Sequence, residues 1–89
     1  MRRARRTDLN QKAIVQALRD AGVIVEVMSD VGRGFPDLVA HTRGRVVFLE
    51  VKRPGHLKLT PDEAAWHQRW REHVHVVTTP QEAIAVVTG

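Results

Sequence analysis

The sequence predicts a small α/β domain whose elements follow the order helix, strand, strand, strand, helix, strand, helix. Three observations support this prediction: a helical repeat of apolar residues near the start, short β-branched runs in the middle, and two proline-containing helix starts in the second half. No linker or repeat interrupts the pattern. We therefore expect a single domain over residues 7–89, preceded by a basic, flexible arm of residues 1–6.

The first helix is predicted over residues 7–21, because apolar side chains recur there at helical spacing and Gly22 follows as a stop signal. This spacing indicates an amphipathic helix with one buried face. The side chains expected on that face are Leu9, Ala13, Ile14, Ala17, Leu18 and Ala21.

Three strands are predicted between residues 23 and 52. The first covers residues 23–28, where β-branched residues dominate, and a loop rich in glycine and aspartate follows at residues 29–34. Residues 37–41 and 45–52 are the next two strands. The turn residues 42–44 between them favour an antiparallel hairpin.

Two later helices have nearly the same start signal. Thr-Pro-Asp-Glu at residues 60–63 and Thr-Pro-Gln-Glu at residues 79–82 each combine an N-cap threonine, proline at the first helical position and glutamate at the third. This combination favours a reciprocal capping arrangement. Between the two helices, residues 74–77 form a β-branched run too short for a helix, which predicts a fourth strand.

The composition narrows the chemistry that the chain can carry. Because it contains no cysteine, it has neither a disulfide framework nor a thiolate zinc site, and any metal must bind oxygen or imidazole ligands. No apolar run approaches the roughly 20 residues that span a bilayer. We therefore expect no membrane partner and a cytoplasmic location, in the host cytoplasm if the chain is phage-encoded.

The excess positive charge is concentrated at the N-terminus. The chain has 14 Lys and Arg against 10 Asp and Glu, and removing four N-terminal arginines leaves 10 against 10. We expect this arm to contact DNA phosphates, and the alternative is a solvated tail with no binding role. The arginines concerned are Arg2, Arg3, Arg5 and Arg6.

Charged residues at the end of the third strand suggest a metal site. Glu50 and Lys52 share one face because strand side chains alternate, and Asp37 begins the neighbouring strand. If the hairpin pairs as its turn suggests, Asp37 and Glu50 lie close together, and two carboxylates at that range favour a divalent cation. For a spacing as short as Glu-x-Lys, an ordinary surface ion pair is the alternative.

Four short segments together form a motif pattern that is more specific than any one of them. They are Arg-Thr-Asp-Leu-Asn-Gln at residues 6–11, Gly-Phe-Pro-Asp-Leu-Val at 34–39, Leu-Glu-Val-Lys-Arg-Pro at 49–54, and Leu-Thr-Pro-Asp-Glu at 59–63 with Trp66 behind it. This set resembles the PD-(D/E)xK nuclease superfamily. More narrowly, it resembles the virus-type replication-repair nuclease family, VRR-NUC, in its minimal stand-alone form common in phages, and the resemblance covers nearly the whole chain.

The resemblance implies a fold, a cofactor and a reaction. The implied fold is a restriction-endonuclease-like core, with a mixed sheet flanked by helices, and the implied reaction is hydrolysis of phosphodiester bonds. Mg²⁺, which Mn²⁺ can replace, would be held by Asp37, Glu50 and the main-chain carbonyl of Val51. Lys52 would orient the attacking water and stabilise negative charge on the phosphate. The implied catalytic residues are therefore Asp37, Glu50 and Lys52.

Two parts of the sequence depart from the family pattern. Many relatives carry a metal-supporting glutamate in the first helix, where this chain offers only Asp8, Asn10 and Gln11. We expect a water-mediated contact from Gln11, and the alternative is that Asp8 and Gln11 only cap the helix. Many relatives also have glutamine where Glu63 stands. Helix capping explains Glu63 without catalysis, and we retain it as a candidate supporting residue.

Side chains around the predicted site indicate how DNA and a second copy could bind. Arg33, Arg53 and Lys58 lie in predicted loops and are expected to grip the DNA backbone. The five histidines show no zinc-ligand spacing, and none is assigned to the metal. Trp66 and Trp70 share a helix face, and we expect Trp66 in the core and Trp70 at a contact with a second copy.

The motifs and the resemblance together predict a metal-dependent, structure-specific endonuclease that cuts branched DNA, with Holliday junctions favoured. A junction presents two equivalent strands and the chain carries one predicted site, so a twofold homodimer is expected. The alternatives are a monomeric nickase or flap-type nuclease, and a DNA-binding module with a vestigial nuclease site.

Overall fold

The seven elements occur in the predicted order in the computed structural model, which describes the main chain of residues 6–89 and the side chains of residues 9–89. They are α1 (Arg6–Asp20), β1 (Ile24–Val27), β2 (Leu38–Thr42), β3 (Arg45–Val51), α2 (Pro61–Arg69), β4 (Val74–Val77) and α3 (Pro80–Thr88). Because α1 begins one residue earlier than predicted, Arg6 belongs to the helix and not to the arm. Arg2, Arg3 and Arg5 lie outside the described residues.

The four strands form one sheet in the order β1-β2-β3-β4. The first three strands are antiparallel neighbours, whereas β4 runs parallel to β3. A parallel pair needs a crossover connection, and α2 lies in that connection. The mixed sheet flanked by helices, which the family resemblance implied, is confirmed.

The predicted hairpin between β2 and β3 is confirmed, with a turn shorter than the three residues expected. Thr42 is still paired with Arg45, so only Arg43 and Gly44 connect the strands. Both have positive φ, at 52° and 76°. Two consecutive left-handed residues are typical of a type I′ turn, whose twist matches that of the flanking strands. This tight turn sets the register that positions the candidate site.

The core lies between one face of the sheet and the two helices α1 and α3. From β3 it takes Val47, Leu49 and Val51, each at most 3% exposed. The two-residue strand period therefore directs Phe48, Glu50 and Lys52 to the opposite face, the one that α2 covers. The helices contribute Ile14, Val15, Leu18, Ala83 and Val87 to the core.

The buried face of α1 differs from the predicted one. Leu9 and Ala13 were expected to be buried but are exposed, whereas Val15 is buried beside Ile14. At about 100° per residue, Val15 and Gln11 lie to one side of Ile14 and the pair Ala13 and Leu9 to the other, so the contact stripe is rotated. The rotation turns Gln11 toward the candidate site.

One further expectation for α1 is wrong. Ala21 was also predicted to be buried, but it is exposed because it lies just beyond the end of α1. Within residues 6–89, no helix combines the length and the apolar character that a membrane crossing requires.

Aromatic side chains attach α2 to the sheet. Trp66 is 4% exposed, as predicted for a core residue, and its ring lies 5.2 Å from the rings of both Phe35 and Phe48. Trp70 stacks on Trp66 with 5.1 Å between ring centroids, yet it remains 42% exposed. These contacts hold α2 above the strand residues that carry the predicted chemistry.

The two predicted helix starts differ in one bond. At α2, the Thr60 hydroxyl accepts from the Glu63 N–H and the Glu63 carboxylate accepts from the Thr60 N–H, which completes the predicted capping box. At α3, Thr79 accepts from the Glu82 N–H as predicted. The Glu82 carboxylate, however, accepts from the N–H and hydroxyl of Thr78, one residue before the cap.

Candidate functional site

The hairpin register brings the two predicted carboxylates together. Leu38 pairs with Leu49, so the next step along both strands places Asp37 opposite Glu50. The main-chain oxygen of Asp37 accepts from Met28 N at 2.7 Å, which extends the pairing of β1 and β2 to this residue. Asp37 is half-buried, while Glu50 is 2% exposed.

The environment of Glu50 strongly disfavours its charge. Burial, a hydrogen bond with Asp37 and the negative charge of Asp37 raise the pKa of Glu50 to about 9, although Lys52 opposes this effect. In the protein alone, this carboxyl therefore retains its proton at neutral pH. A cation placed between the two carboxyl groups would reverse the effect and favour the ionised form.

A main-chain carbonyl completes the set of oxygen donors. The same register places Pro36 opposite Val51, and proline has no N–H to offer to the Val51 carbonyl. On the same residue, the Val51 N–H donates to Oδ2 of Asp37 at 2.8 Å. The proline therefore removes a ladder donor at the position where the predicted third metal ligand lies.

This donor set suits a hard divalent cation. Two carboxylates and a main-chain carbonyl are the oxygen ligands that Mg²⁺ and Mn²⁺ prefer. Among the side chains of residues 9–89, no group of three or more His, Asp or Glu is arranged to hold a metal. A metal between Asp37 and Glu50 would consequently depend on the main-chain oxygen and on water for its remaining ligands.

Lys52 is held by contacts at both ends of the residue. Its Nζ lies 2.9 Å from Oε1 of Glu63, and its main-chain oxygen accepts from Asn10 Nδ2 at 3.0 Å. Asn10 also donates to the Thr78 oxygen at 3.0 Å, which ties α1 to the ends of β3 and β4. The sequence placed Asn10 in the first-helix motif, near the position of the missing glutamate, but its linking role was not predicted.

Glu63 lies in the site and also caps α2. One oxygen, Oε1, accepts both from Lys52 Nζ and from the Thr60 N–H. Burial raises the pKa of Glu63, but the hydrogen bonds from Thr60 and Lys52 outweigh it and lower the pKa below its ordinary value. The capping role inferred from the sequence is confirmed, and the structure adds the contact with Lys52.

His67 contacts the candidate site, although no histidine was predicted there. Its Nε2 lies 3.4 Å from Oε1 of Glu50, and the two side chains are only 14% and 3% exposed. Burial and the positive charge of Lys52 lower the pKa of His67, while Glu63 opposes this effect. The signal that could have revealed it is its position four residues after Glu63, on the same face of α2.

Gln11 reaches the site through a residue that was not predicted. The Ser29 hydroxyl lies 3.1 Å from Oε1 of Gln11 and 3.4 Å from Oδ1 of Asp37, so it can donate to either. Nothing in the residue type or spacing marks Ser29 in the sequence. The water-mediated metal contact predicted for Gln11 stays a prediction, and the side chains of Arg6 and Asp8 lie outside the described part of the chain.

The three cations predicted to bind DNA from the loops lie at different places on the surface. Arg53, directly after Lys52, lines a surface cavity of about 300 Å³ with Asn10, Pro54 and His56. Arg33 is exposed in the loop between β1 and β2, and Lys58 is exposed before α2. Their contact with DNA stays a prediction.

The mixed sheet and the acidic pair on its adjacent strands fit the PD-(D/E)xK type of nuclease that the motifs resemble. A solved structure described as a VRR_NUC domain matches this chain with a TM-score of 0.74 and 28% identity, over 92% of this chain and 94% of that chain. This match confirms the resemblance to the VRR-NUC family that the motifs indicated. No protein-family model and no curated protein sequence matches the chain.

Proposed function

We propose that this protein is a metal-dependent, structure-specific DNA endonuclease that hydrolyses phosphodiester bonds in branched DNA, in the manner of a Holliday-junction resolvase. The observation that supports this most strongly is that Asp37 lies opposite Glu50 and bonds to the main chain of Val51, the residue before Lys52. A surface ion pair, the alternative for Glu-x-Lys, does not account for this group. Glu50 is 2% exposed, and the hairpin register places it opposite a second carboxylate.

Each group in the site has a distinct task in this proposal. Asp37, Glu50 and the Val51 carbonyl would hold Mg²⁺, for which Mn²⁺ can substitute, and the ion would supply Lewis-acid stabilisation of the phosphate. Lys52 carries a positive charge next to the carboxylates, where it orients the attacking water and stabilises negative charge on the phosphate. The bonds from Asn10 and to Glu63 hold Lys52 at both ends, so this geometry costs little reorganisation.

The distribution of charge supports a nucleic-acid substrate. Four arginines near the N-terminus account for the formal charge of +4, and Arg33, Arg53 and Lys58 add cations in the loops. Contacts of this kind position a protein on the phosphate backbone without reading sequence. This suits an enzyme that recognises DNA shape.

A twofold homodimer follows from the proposed substrate, because each chain has one site and a junction offers two equivalent strands. Exposed apolar side chains on the sheet face beside α2 support it. Ile24 and Val46, which both pair with His41, are 59% and 49% exposed, and Trp70 is 42% exposed. Burial of such a patch would add stability to a domain of only 89 residues.

The experiment that tests the proposed function compares DNA substrates with and without a branch. The protein is incubated with Mg²⁺ or Mn²⁺ and a four-way junction, a flap, a splayed arm or a linear duplex, and the cuts are mapped. We expect paired, symmetric nicks in the junction. Single nicks by a strict monomer would favour a nickase or flap nuclease, and tight binding without cleavage would favour a vestigial site.

A further inference from the structure

We infer that His67 is a positioning residue for Glu50: its ring holds the carboxylate in the orientation that binds the metal. The inference deepens the proposed function and rests on the metal site proposed there. The geometry of the buried pair of His67 and Glu50 points to this role.

His67 and Glu50 form a buried contact. His67 Nε2 lies 3.4 Å from Glu50 Oε1, with both side chains removed from solvent. An ionised carboxylate can only accept hydrogen bonds, so the ring must donate through Nε2 whenever Glu50 binds a cation. Carboxylates that hold a metal are commonly hydrogen-bonded by a neighbouring group in this way, which restricts their orientation.

The spacing of residues along α2 matches the spacing along β3. Residues four apart on a helix are separated by about 6 Å along its axis, and residues two apart on a strand by about 6.6 Å. Glu63 can therefore face Lys52 while His67, one helical turn further on, faces Glu50. The structure shows both contacts, from Glu63 to Lys52 and from His67 to Glu50. The helix thus contacts both Glu50 in β3 and Lys52 just after it.

Contacts at its start and middle hold α2 in place. Its first turn is closed by the capping box between Thr60 and Glu63. Gly34, two residues before the Pro36-Asp37 motif, packs so closely on Asp62 that a Cβ atom there would overlap the Asp62 carbonyl. One residue before His67, Trp66 is buried between Phe35 and Phe48. His67 is therefore held close to Glu50 by a helix that is fixed at its start and at its middle.

The test measures metal affinity in the absence of DNA, so that turnover does not enter. Mn²⁺ binding is followed by calorimetry for the wild-type protein, His67→Leu, His67→Asn and His67→Gln. We expect His67→Leu and His67→Asn to weaken binding about tenfold or more, since neither can donate to Glu50 from the position of Nε2. His67→Gln should retain most of the affinity, because its amide N–H reaches further.

Controls separate this inference from the proposed function. His41→Ala removes an exposed histidine from β2 and should leave Mn²⁺ affinity unchanged. Asp37→Asn should abolish binding, and thermal unfolding without metal reports whether each variant folds. Wild-type affinity in folded His67→Leu and His67→Asn overturns the inference while the metal site stands. If the wild-type protein binds no Mn²⁺, or Asp37→Asn binds it normally, both the metal site and this inference are wrong.

Discussion

The carboxylate of Asp37 accepts a hydrogen bond from the main-chain N–H of Val51 at 2.8 Å. The bond connects two of the three residues proposed to hold the metal across the hairpin. An amide oxygen can accept the same bond. Asp37→Asn therefore removes the charge while it preserves the link to β3, whereas Asp37→Ala removes both.

The raised pKa of Glu50 predicts how stability without metal changes with pH. The folded protein keeps a proton that the unfolded chain releases near 4.5, so stability falls as pH rises from there towards about 9. Measurements above the ordinary histidine pKa of 6.5 avoid the opposite contribution of His67, whose pKa is lowered. Thermal unfolding between about pH 7 and 9 should show a decline that is smaller in Glu50→Gln.

Bound Mn²⁺ should reverse the loss of stability at alkaline pH. At the alkaline end of the same range, Mn²⁺ is expected to raise the unfolding temperature of the wild-type protein and not that of Glu50→Gln, because binding to the folded state alone stabilises it. An equal rise in both proteins would show that Mn²⁺ binds elsewhere.

Substitutions should separate the two roles of Glu63, as a cap of α2 and as a partner of Lys52. Glu63→Gln keeps an oxygen for the Thr60 N–H but loses the charge opposite Lys52, whereas Glu63→Ala loses both. We expect Glu63→Ala to lower the free energy of unfolding by about 1 kcal/mol, the usual effect of losing a helix cap, and Glu63→Gln by less. Chemical denaturation of both variants provides the measurement. Equal losses would show that the ion pair with Lys52, and not the cap, contributes most of the stability.

The N-terminal arginines are expected to strengthen binding to every DNA substrate. Glutamine at positions 2, 3, 5 and 6 removes the four charges and keeps the length of the chain. Binding should weaken and its dependence on salt should flatten, because each lost phosphate contact lowers the slope of log K against log salt by about 0.9. Cleavage of saturating substrate should persist. An unchanged salt slope would identify the arm as a solvated tail.

The proposed dimer can be tested at Trp70. Trp70→Glu places a charge on the exposed apolar patch, while Leu9→Glu does the same on the exposed side of α1, where the side chain is 57% exposed. Sedimentation at micromolar concentration should show a dimer for the wild-type protein and Leu9→Glu, and a monomer for Trp70→Glu. A wild-type monomer that nicks only one strand of a junction would contradict the resolvase proposal.

Local signals explain which parts of the structure were predictable. Thr60 and Thr79 mark helix starts through bonds within four residues, and Arg43-Gly44 sets the hairpin, so element order and strand register follow from neighbouring residues. The opposition of Asp37 and Glu50 follows from that register.

Contacts between distant elements were harder to predict. Asn10 bonds to residues 52 and 78, and Ser29 lies between Gln11 and Asp37, but neither contact has a periodic or compositional signature. The rotation of α1 depends on how the helix packs against the sheet, which its own apolar repeat defined only approximately. The contact of His67 with Glu50 could be predicted only from the placement of α2 over β3.

Cleavage of a four-way junction under single-turnover conditions with Mg²⁺ tests the proposed metal site. Wild-type protein should make paired nicks, while Asp37→Asn, Glu50→Gln and Lys52→Ala should leave the junction intact. The two carboxylate variants should bind the junction at least as tightly as the wild-type protein, and Lys52→Ala should bind it nearly as tightly. Asp30→Asn, a charge loss in the exposed loop before Pro36, is the matched control and should cut normally. Near-normal cleavage by Asp37→Asn or Glu50→Gln would contradict the proposed metal site.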